Sequence, residues 1–310
     1  MKIAISVGDL NGIGIEIALR AHEEISKLCT PIYVIDQEML KQAVKILNIE
    51  IPPNFNTLPC HDIFQITPSL ATKESGTYSY NSFLRAVELA KEGKVNAIST
   101  LPINKEAWNK AEILHKGHTD TLTDIFNQEA IMMIGCQKLF VALFTHHIPL
   151  KDVASRIKAE PLKNFMLNLY KEIKEEKIGV LGLNPHAGDN GVIGDEEIEI
   201  QKAIKEANKE IGKEIFIGTL VPDTAFTPSM REEFQYFVCM YHDQGLIAAK
   251  ALYFEEGINV SLNLPIIRTS VDHGTAYDKA YKNQNPSTKS YVNSIKEAIR
   301  LITKRADAES

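Results

Sequence analysis

The sequence of 310 residues predicts an α/β protein. Short apolar runs alternate with segments whose apolar residues recur at helical spacing, and this alternation is typical of a mostly parallel sheet with crossover helices. Several of the apolar runs end in polar clusters that contain histidine, and open α/β sheets bind their ligands at the carboxyl ends of the strands. Because one domain usually takes ~100–200 residues, the length favours two domains.

The first part of the chain repeats a strand followed by a helix. The first strand runs into a turn that carries glycine, and the third helix ends at Gly93. The predicted elements are strands at 2–8, 31–36 and 95–103 and helices at 13–25, 37–48 and 82–93. Each of these strands is short and apolar, as expected where both faces of a sheet are covered.

The remainder of the chain opens with two apolar runs in quick succession, at 130–136 and 138–150, which indicate a hairpin. Three further segments are typical of strands that continue into loops, and three others have the apolar spacing of amphipathic helices. These strands lie at 215–223, 237–245 and 258–270, and the helices at 161–177, 195–212 and 290–306.

The composition excludes several classes of protein. The chain is 44% hydrophobic and 24% charged, which is ordinary for a globular protein and argues against disorder. Its net charge is -6, so no basic excess attracts nucleic acid or anionic lipid. The four cysteines form no CxxC pair, and no apolar run reaches the ~20 residues of a membrane span. We expect a cytoplasmic protein with reduced thiols and no nucleic-acid or membrane partner.

Three apolar runs end in a segment that contains histidine. The segments are FTHHIPL, LNPHAG and MYHDQG, and they contribute His147 or its neighbour His146, His186 and His242. Neutral imidazole is the commonest metal ligand, and three ligands with an open position form the usual catalytic arrangement. The alternative for each histidine alone is a structural role in its loop.

Two polar groups have the character of anion sites. In the segment KGHTDTLTD, His118 and Thr119 precede a helical run, and the free N–H groups of a helix start bind anions, although plain capping by Thr119 or Asp120 is an equal alternative. Lys250, Asn259 and Arg268 lie on successive elements, and Lys and Arg hold phosphate or carboxylate where they are not simply surface residues.

The amino-terminal segment VGDLNGIGIE contains Gly8, Gly12 and Gly14. It satisfies neither GxxxxGK[ST] nor GxGxxG, so neither a P-loop nor a Rossmann fingerprint is present. The spacing favours a tight turn that lets a strand and a helix pack closely. Asp9 and Asn11 are candidates for lining a cleft.

Taken together, these segments closely resemble the 4-hydroxythreonine-4-phosphate dehydrogenase family of vitamin B6 biosynthesis. The matching stretches are ISVGDLNGIGIEI, STLPINKEA, GHTD, THHIPL, GLNPHAGDNGVIGDEE, VPDTAF, MYHDQGL and GINVSLNLPIIRTSVDHGTA. They span residues 5 to 276 in the family's order, so the resemblance covers nearly the whole chain.

The resemblance implies a fold like that of isocitrate and isopropylmalate dehydrogenases, with two α/β domains around a central cleft and no Rossmann fingerprint. It implies a cofactor-side domain at 1–125 plus 258–310 and a metal and dimer-interface domain at 126–257. It also implies a homodimer whose active site lies at the subunit interface, with metal ligands shared between the chains. One way to divide them takes His242 from one chain and His147 and His186 from the other.

The resemblance also assigns residues and ligands. NAD or NADP is held by a loop that consists of Asp272, His273, Gly274, Thr275 and Ala276. One divalent metal per subunit (zinc, magnesium or cobalt) is held by His147, His186 and His242. Substrate contacts are His118, Thr119, Lys250, Asn259 and Arg268. Catalytic roles fall to Lys250, as proton donor or charge clamp, and to Asp243, as base or as a residue that orients a ligand.

The reaction that the resemblance implies is oxidation of 4-phosphohydroxy-L-threonine to 2-amino-3-oxo-4-phosphobutanoate, which decarboxylates to 3-amino-2-oxopropyl phosphate. Two alternatives on the same scaffold are dehydrogenases of phospho-threonate or phospho-erythronate and dehydrogenases of cyclic dihydrodiols. From other classes, a metal-dependent phosphatase or a non-catalytic metal-binding protein also fits the histidines.

Overall fold

The computed structural model describes residues 1–309 and divides into two compact units. The first unit comprises residues 1–130 and the segment that begins at Ile258, and the second comprises Ile131–Gly257. Within the described residues, no helix is both long enough and apolar enough to cross a lipid bilayer.

The strands and helices alternate along much of the chain. The strands are β1 Lys2–Ser6, β2 Thr30–Val34, β3 Thr57–Leu58, β4 Ala97–Thr100, β5 Ile131–Cys136, β6 Leu139–Leu143, β7 Ile178–Leu181, β8 Phe216–Leu220, β9 Tyr236–Cys239, β10 Ile258–Leu262 and β11 Arg268–Val271. The helices are α1 Gly14–Leu28, α2 Gln37–Leu47, α3 Lys73–Lys91, α4 Lys105–Lys110, α5 His118–Phe126, α6 Val153–Arg156, α7 Ala159–Ile173, α8 Glu196–Ile211, α9 Pro228–Glu233, α10 His242–Tyr253 and α11 Lys289–Glu309. Short 3₁₀ segments lie at Leu150–Asp152 and Pro185–Gly191.

The first unit is built on strands in the order β3-β2-β1-β4-β11-β10. All neighbours in this set are parallel except β10, which runs antiparallel to β11. Helix α3 packs against β1, β2 and β4, and α11 packs against β4, β10 and β11. The central strand β1 is therefore buried at every position except its first, as the apolar run in the sequence requires.

The second unit has the strand order β5-β6-β9-β7-β8. Strands β5 and β6 form an antiparallel hairpin in which Cys136 lies opposite Leu139, and the other pairs are parallel. Leu143 at the end of β6 lies opposite Cys239 at the end of β9. The segments that follow these two strands consequently leave the sheet at the same edge.

The predicted α/β class and the hairpin after residue 130 are confirmed. The prediction of one strand through 258–270 is wrong, because the segment forms two antiparallel strands, β10 and β11. Asn263 between them has a left-handed φ of 59, and Pro265 has no N–H to donate, so the chain turns there. The strand predicted at the start of 237–245 is present as β9, which ends at Cys239, but the residues expected to form the following loop begin α10 at His242.

Candidate active site

The first unit contains a buried arginine without a carboxylate partner. Arg268 is 3% exposed at the start of β11. Its Nε and Nη2 donate to Oγ1 of Thr100 at 3.2 and 2.8 Å, and its Nη1 donates to Oγ of Ser261 at 2.9 Å. Among residues 1–309 no carboxylate pairs with it, and burial lowers the pKa of the guanidinium because desolvation disfavours the charge. Arginine nevertheless stays protonated at neutral pH, so an anionic ligand would pair with this buried charge.

His118 lies beside this guanidinium as the first residue of α5. Nη2 of Arg268 donates to its Nδ1 at 3.2 Å, and the rings of Phe83 and Trp108 lie 4.6 and 5.6 Å from its ring. Desolvation, and then the neighbouring Arg268 charge, lower the pKa of His118 well below its usual value. The imidazole is therefore neutral at pH 7 and carries its proton on Nε2, which is buried without a hydrogen-bond partner among the described residues. A ligand oxygen would satisfy this donor.

Asn259 presents a second orphaned group on the same face of the β10–β11 hairpin. Because alternate side chains of a strand point to the same face, residues 259 and 261 lie on one face of β10. Ser261 lies directly opposite Arg268 on β11. Oδ1 of Asn259 is buried, and no described residue donates to it. The face thus offers a cation, an acceptor and, through His118, a donor.

Two side chains of the first turn of α5 hold the turn that precedes this helix. Oδ2 of Asp120 accepts from the backbone N–H of Lys116 at 2.9 Å, and Oγ1 of Thr121 donates to the Gly117 carbonyl at 3.0 Å. Asp120 therefore ties down the turn. Thr119, half-buried in the first turn of the helix, takes no part in these bonds.

In the second unit, two of the predicted metal ligands lie together. His147 follows β6 and His242 follows β9, and their ring centroids are 5.8 Å apart because these strands are parallel neighbours. Nδ1 of His242 lies 2.7 Å from Oδ1 of Asp243, as it does when imidazole donates to a carboxylate. That bond leaves the Nε2 lone pair for a metal, which is the usual arrangement of a metal-binding histidine. Asp243 thus orients His242.

His186 occupies a loop of unusual backbone. Five consecutive residues, from His186 to Asn190, have left-handed φ values between 43 and 78. The buried carboxylate of Glu197 holds the loop, since its Oε1 accepts from the N–H groups of Leu183 and Asn184 at 2.8 and 2.7 Å. Within the described chain no group of three histidine, cysteine or acidic residues is close enough to hold a metal. Within one chain His147 lies beside His242, and how the three ligands divide between two chains stays a prediction.

Lys250 lies on α10, two turns after His242. Its Nζ is 6.0 Å from the ring centroid of Phe254, an exposed side chain. The predicted cofactor loop, residues 272–276, connects β11 to the segment before α11. Its Gly274 is exposed, and a Cβ built there would have no atom within 4 Å, so the space beside this residue is open.

The model of the family described as "Pyridoxal phosphate biosynthetic protein PdxA" matches residues 27–301. The chain belongs to this family. The membership confirms the resemblance inferred from the motifs.

Relatives of this PdxA family member are similar over their whole length. A 4-hydroxythreonine-4-phosphate dehydrogenase from Sulfurimonas denitrificans is 59% identical over 301 residues, which cover 97% of this chain and 98% of the relative. A protein of the same name from Campylobacter fetus is 54% identical, with the same coverage. These relatives are oxidoreductases, and a dehydrogenase family implies a nicotinamide cofactor.

Solved structures show the same relationship. A 4-hydroxythreonine-4-phosphate dehydrogenase from Burkholderia phymatum has a TM-score of 0.80 at 32% identity, and the match covers 97% of this chain and 98% of that one. A terephthalate 1,2-cis-dihydrodiol dehydrogenase from Burkholderia xenovorans has a TM-score of 0.68 at 22% identity, which shows a shared fold.

Two residues of this PdxA site were missed by the sequence reasoning. Thr100 and Ser261 hold the guanidinium of Arg268, yet their hydroxyls are ordinary features of a strand sequence. The position of Thr100 at the carboxyl end of the buried strand β4 is the one signal that points to it.

His118 makes the stability of this family member depend on pH. Its folded-state pKa is lowered, so neutral His118 stabilises the fold above the unfolded-state pKa of about 6.5, and this contribution is lost as the pH falls below that value. We expect the unfolding free energy of the wild type to fall more steeply between about pH 7 and 5 than that of His118→Gln. Urea unfolding across this range measures both, and parallel curves would contradict the assignment.

Proposed function

We propose that the chain oxidises 4-phosphohydroxy-L-threonine with NAD or NADP, as 4-hydroxythreonine-4-phosphate dehydrogenase. The product is 2-amino-3-oxo-4-phosphobutanoate, which decarboxylates to 3-amino-2-oxopropyl phosphate in the synthesis of pyridoxal phosphate. The observation that carries the proposal is the buried, uncompensated guanidinium of Arg268 on a face with two orphaned polar groups. The names of the relatives and their identity over nearly the whole chain support the same substrate.

The residues of the first unit bind the charged substrate. The Arg268 guanidinium pairs with an oxyanion of the phosphate or carboxylate. Its hydrogen bonds to the hydroxyl groups of Thr100 and Ser261 fix its orientation. Nε2–H of His118 donates to a second ligand oxygen, and Oδ1 of Asn259 accepts from a substrate donor such as the ammonium or hydroxyl group. Thr119 adds a hydroxyl at the same helix start. Lys250, in the second unit, supplies a positive charge as a clamp or as a proton donor.

The histidines of the second unit suit a divalent metal. His147 and His242 are adjacent imidazoles, and the Asp243 carboxylate fixes the tautomer that leaves a nitrogen lone pair on His242. Imidazole suits zinc and cobalt, and magnesium requires added carboxylate. A divalent metal held by these residues with His186 would supply Lewis-acid chemistry, which lowers the pKa of a substrate hydroxyl group. We place His186 of one subunit with the His147–His242 pair of the other, in a homodimer whose active site lies at the subunit interface.

The loop Asp272–Ala276 binds the dinucleotide. The open space beside Gly274 accommodates a ligand without displacing protein atoms. Burial lowers the pKa of the adjacent His273, so its ring is neutral at pH 7. A nicotinamide bound there would supply the hydride acceptor.

The test of this function is a substrate panel assayed with NAD and with NADP after metal removal and readdition. We expect reduced nicotinamide to form with 4-phosphohydroxy-L-threonine once a divalent metal is restored, and not before. Faster turnover of phospho-threonate or phospho-erythronate would assign the chain to another phosphorylated hydroxy acid. Phosphate release without nicotinamide reduction would identify a phosphatase.

Thr100→Val tests whether the Thr100 hydroxyl orients the Arg268 guanidinium for substrate binding. Valine has nearly the shape of threonine but no acceptor, so the guanidinium loses the partner of two of its nitrogens. A hydrogen bond to a charged group contributes about 1.5–3 kcal/mol, and we expect KM for the phosphorylated substrate to rise about tenfold or more. Thr100→Ser keeps the hydroxyl and is the control. An unchanged KM in Thr100→Val would remove this residue from the site.

A further inference from the structure

The amino-terminal turn that contains Gly8, Gly12 and Gly14 matches no phosphate-binding motif, but it packs against a second segment of the chain. It follows β1 and contacts the segment 272–281, which contains the predicted cofactor loop. The N–H of Ile13 donates to the carbonyl of Thr275 at 2.9 Å, and the hydroxyl of Tyr281 donates to the carbonyl of Leu10 at 2.6 Å. A Cβ on Gly12 would lie 2.9 Å from the carbonyl oxygen and Cβ of Thr275. The close approach of these two segments therefore requires glycine at position 12.

Asp9 supplies the one charged group of this contact. Its carboxylate is fully buried and accepts three hydrogen bonds, from the Tyr277 hydroxyl at 2.7 Å, the Ser75 hydroxyl at 3.2 Å and the Asn11 N–H at 2.8 Å. Burial raises its pKa, and the three donors oppose that rise. No basic residue in the described part of the chain forms a salt bridge with it.

Two of the three donors come from distant parts of the sequence, since Ser75 lies 66 positions from Asp9 and Tyr277 lies 268 positions from it. Asn11 and Ser75 belong to the turn itself and to the first turn of α3, whereas Tyr277 comes directly after the cofactor loop. A buried carboxylate is expensive to keep unless its hydrogen bonds are satisfied. Together with the Ile13–Thr275 and Leu10–Tyr281 bonds, the Asp9–Tyr277 bond thus links the turn to the loop segment, and it is the one of the three that involves a carboxylate.

We propose that Asp9 is a positioning residue for dinucleotide binding, because its bond to Tyr277 holds the backbone of Thr275 and Ala276 in the geometry that receives the cofactor. The inference rests on the proposed assignment of residues 272–276 to that cofactor. Asp9 touches neither the cofactor nor the substrate in this role, and acts through Tyr277.

Tyr277→Phe tests the inference with a minimal change of shape. Removing a hydroxyl bonded to a carboxylate typically weakens the function it supports by about tenfold or more. We expect the Kd for NADH and NADPH, measured by nucleotide fluorescence, to rise by about that factor, with kcat at saturating cofactor and the affinity for inorganic phosphate nearly unchanged. Tyr80→Phe removes a hydroxyl of the same unit that lies 3.2 Å from Nδ1 of His115, and is the matched control. An unchanged Kd in Tyr277→Phe would overturn the proposal.

A second pair of measurements separates this inference from the cofactor assignment. Gly274→Leu places a side chain beside the loop, and its Cβ has no protein atom within 4 Å, so the variant should weaken nucleotide binding if residues 272–276 are the site. If Gly274→Leu has no effect, the cofactor assignment fails. If it weakens binding and Tyr277→Phe does not, only the positioning role of Asp9 fails. Faster hydrogen exchange over 272–281 in Tyr277→Phe, and a double variant with Asp9→Asn no weaker than the single ones, would support the role.

Discussion

His186→Ala subunits mixed with His242→Ala subunits should recover roughly a quarter of the wild-type activity, although each variant alone should lose turnover and metal content. If the two histidines come from different chains at each site, a hybrid dimer has one site with both defects and one intact site. Random pairing makes half of the dimers hybrid, so a quarter of all sites are complete. Activity after reversible dissociation and native mass spectrometry of the mixture measure both quantities.

The structure provides a matched control for this experiment. His147 and His242 lie side by side in one chain, with 5.8 Å between their ring centroids. A mixture of His147→Ala and His242→Ala subunits therefore leaves a defect in every site of the hybrid and should remain inactive. Failure of the His186 and His242 mixture, with hybrids present by mass, would place all three ligands on one subunit.

Arg268→Ala should raise KM for the phosphorylated substrate and lower kcat/KM by roughly 10–150-fold, since a charge-assisted hydrogen bond contributes about 1.5–3 kcal/mol. Arg268→Lys should lose less, because an ammonium group keeps the charge but not the two parallel bonds of a guanidinium. Steady-state kinetics and inorganic phosphate binding measure the effect independently. A change below about threefold would be within the range of indirect effects and would remove Arg268 from the site.

Thermal unfolding distinguishes a binding role of Arg268 from a structural one. The guanidinium is buried without a carboxylate partner, so its charge is costly to the unliganded fold. Arg268→Met, which fills similar space without charge, should leave the Tm unchanged or raise it while phosphate binding is lost. A large fall in Tm would show that the charge stabilises the fold itself.

The sequence predicted those parts of the site that depend on local pattern. Apolar runs locate the strands, and polar residues directly after them, such as His147 and His242, are brought together because their strands are parallel neighbours. The segment 258–270 was predicted poorly, since the turn at Asn263 depends on a left-handed backbone that asparagine tolerates but does not require.

Partners that are far apart in sequence could not be predicted. Tyr277 bonds Asp9 across 268 positions, and Arg268 bonds Thr100 across 168. Hydroxyl groups of this kind have no periodicity of their own, so only the folded sheet shows that they meet. The left-handed backbone from His186 to Asn190 could not be predicted either, because only one of its five residues is glycine.

The buried guanidinium of Arg268, as a proposed substrate contact, also makes the site selective. A threonine derivative without the phosphate still carries a carboxylate, but it leaves the cation that would bind the phosphate without its anion. It also leaves without a hydrogen-bond partner the polar groups that would bind the phosphate oxygens. Sites that hold such groups for a ligand reject analogues lacking the matching group far more strongly than an apolar pocket rejects a missing methylene. The enzyme would therefore discriminate between the phosphorylated substrate and the same amino acid without its phosphate before any chemistry begins.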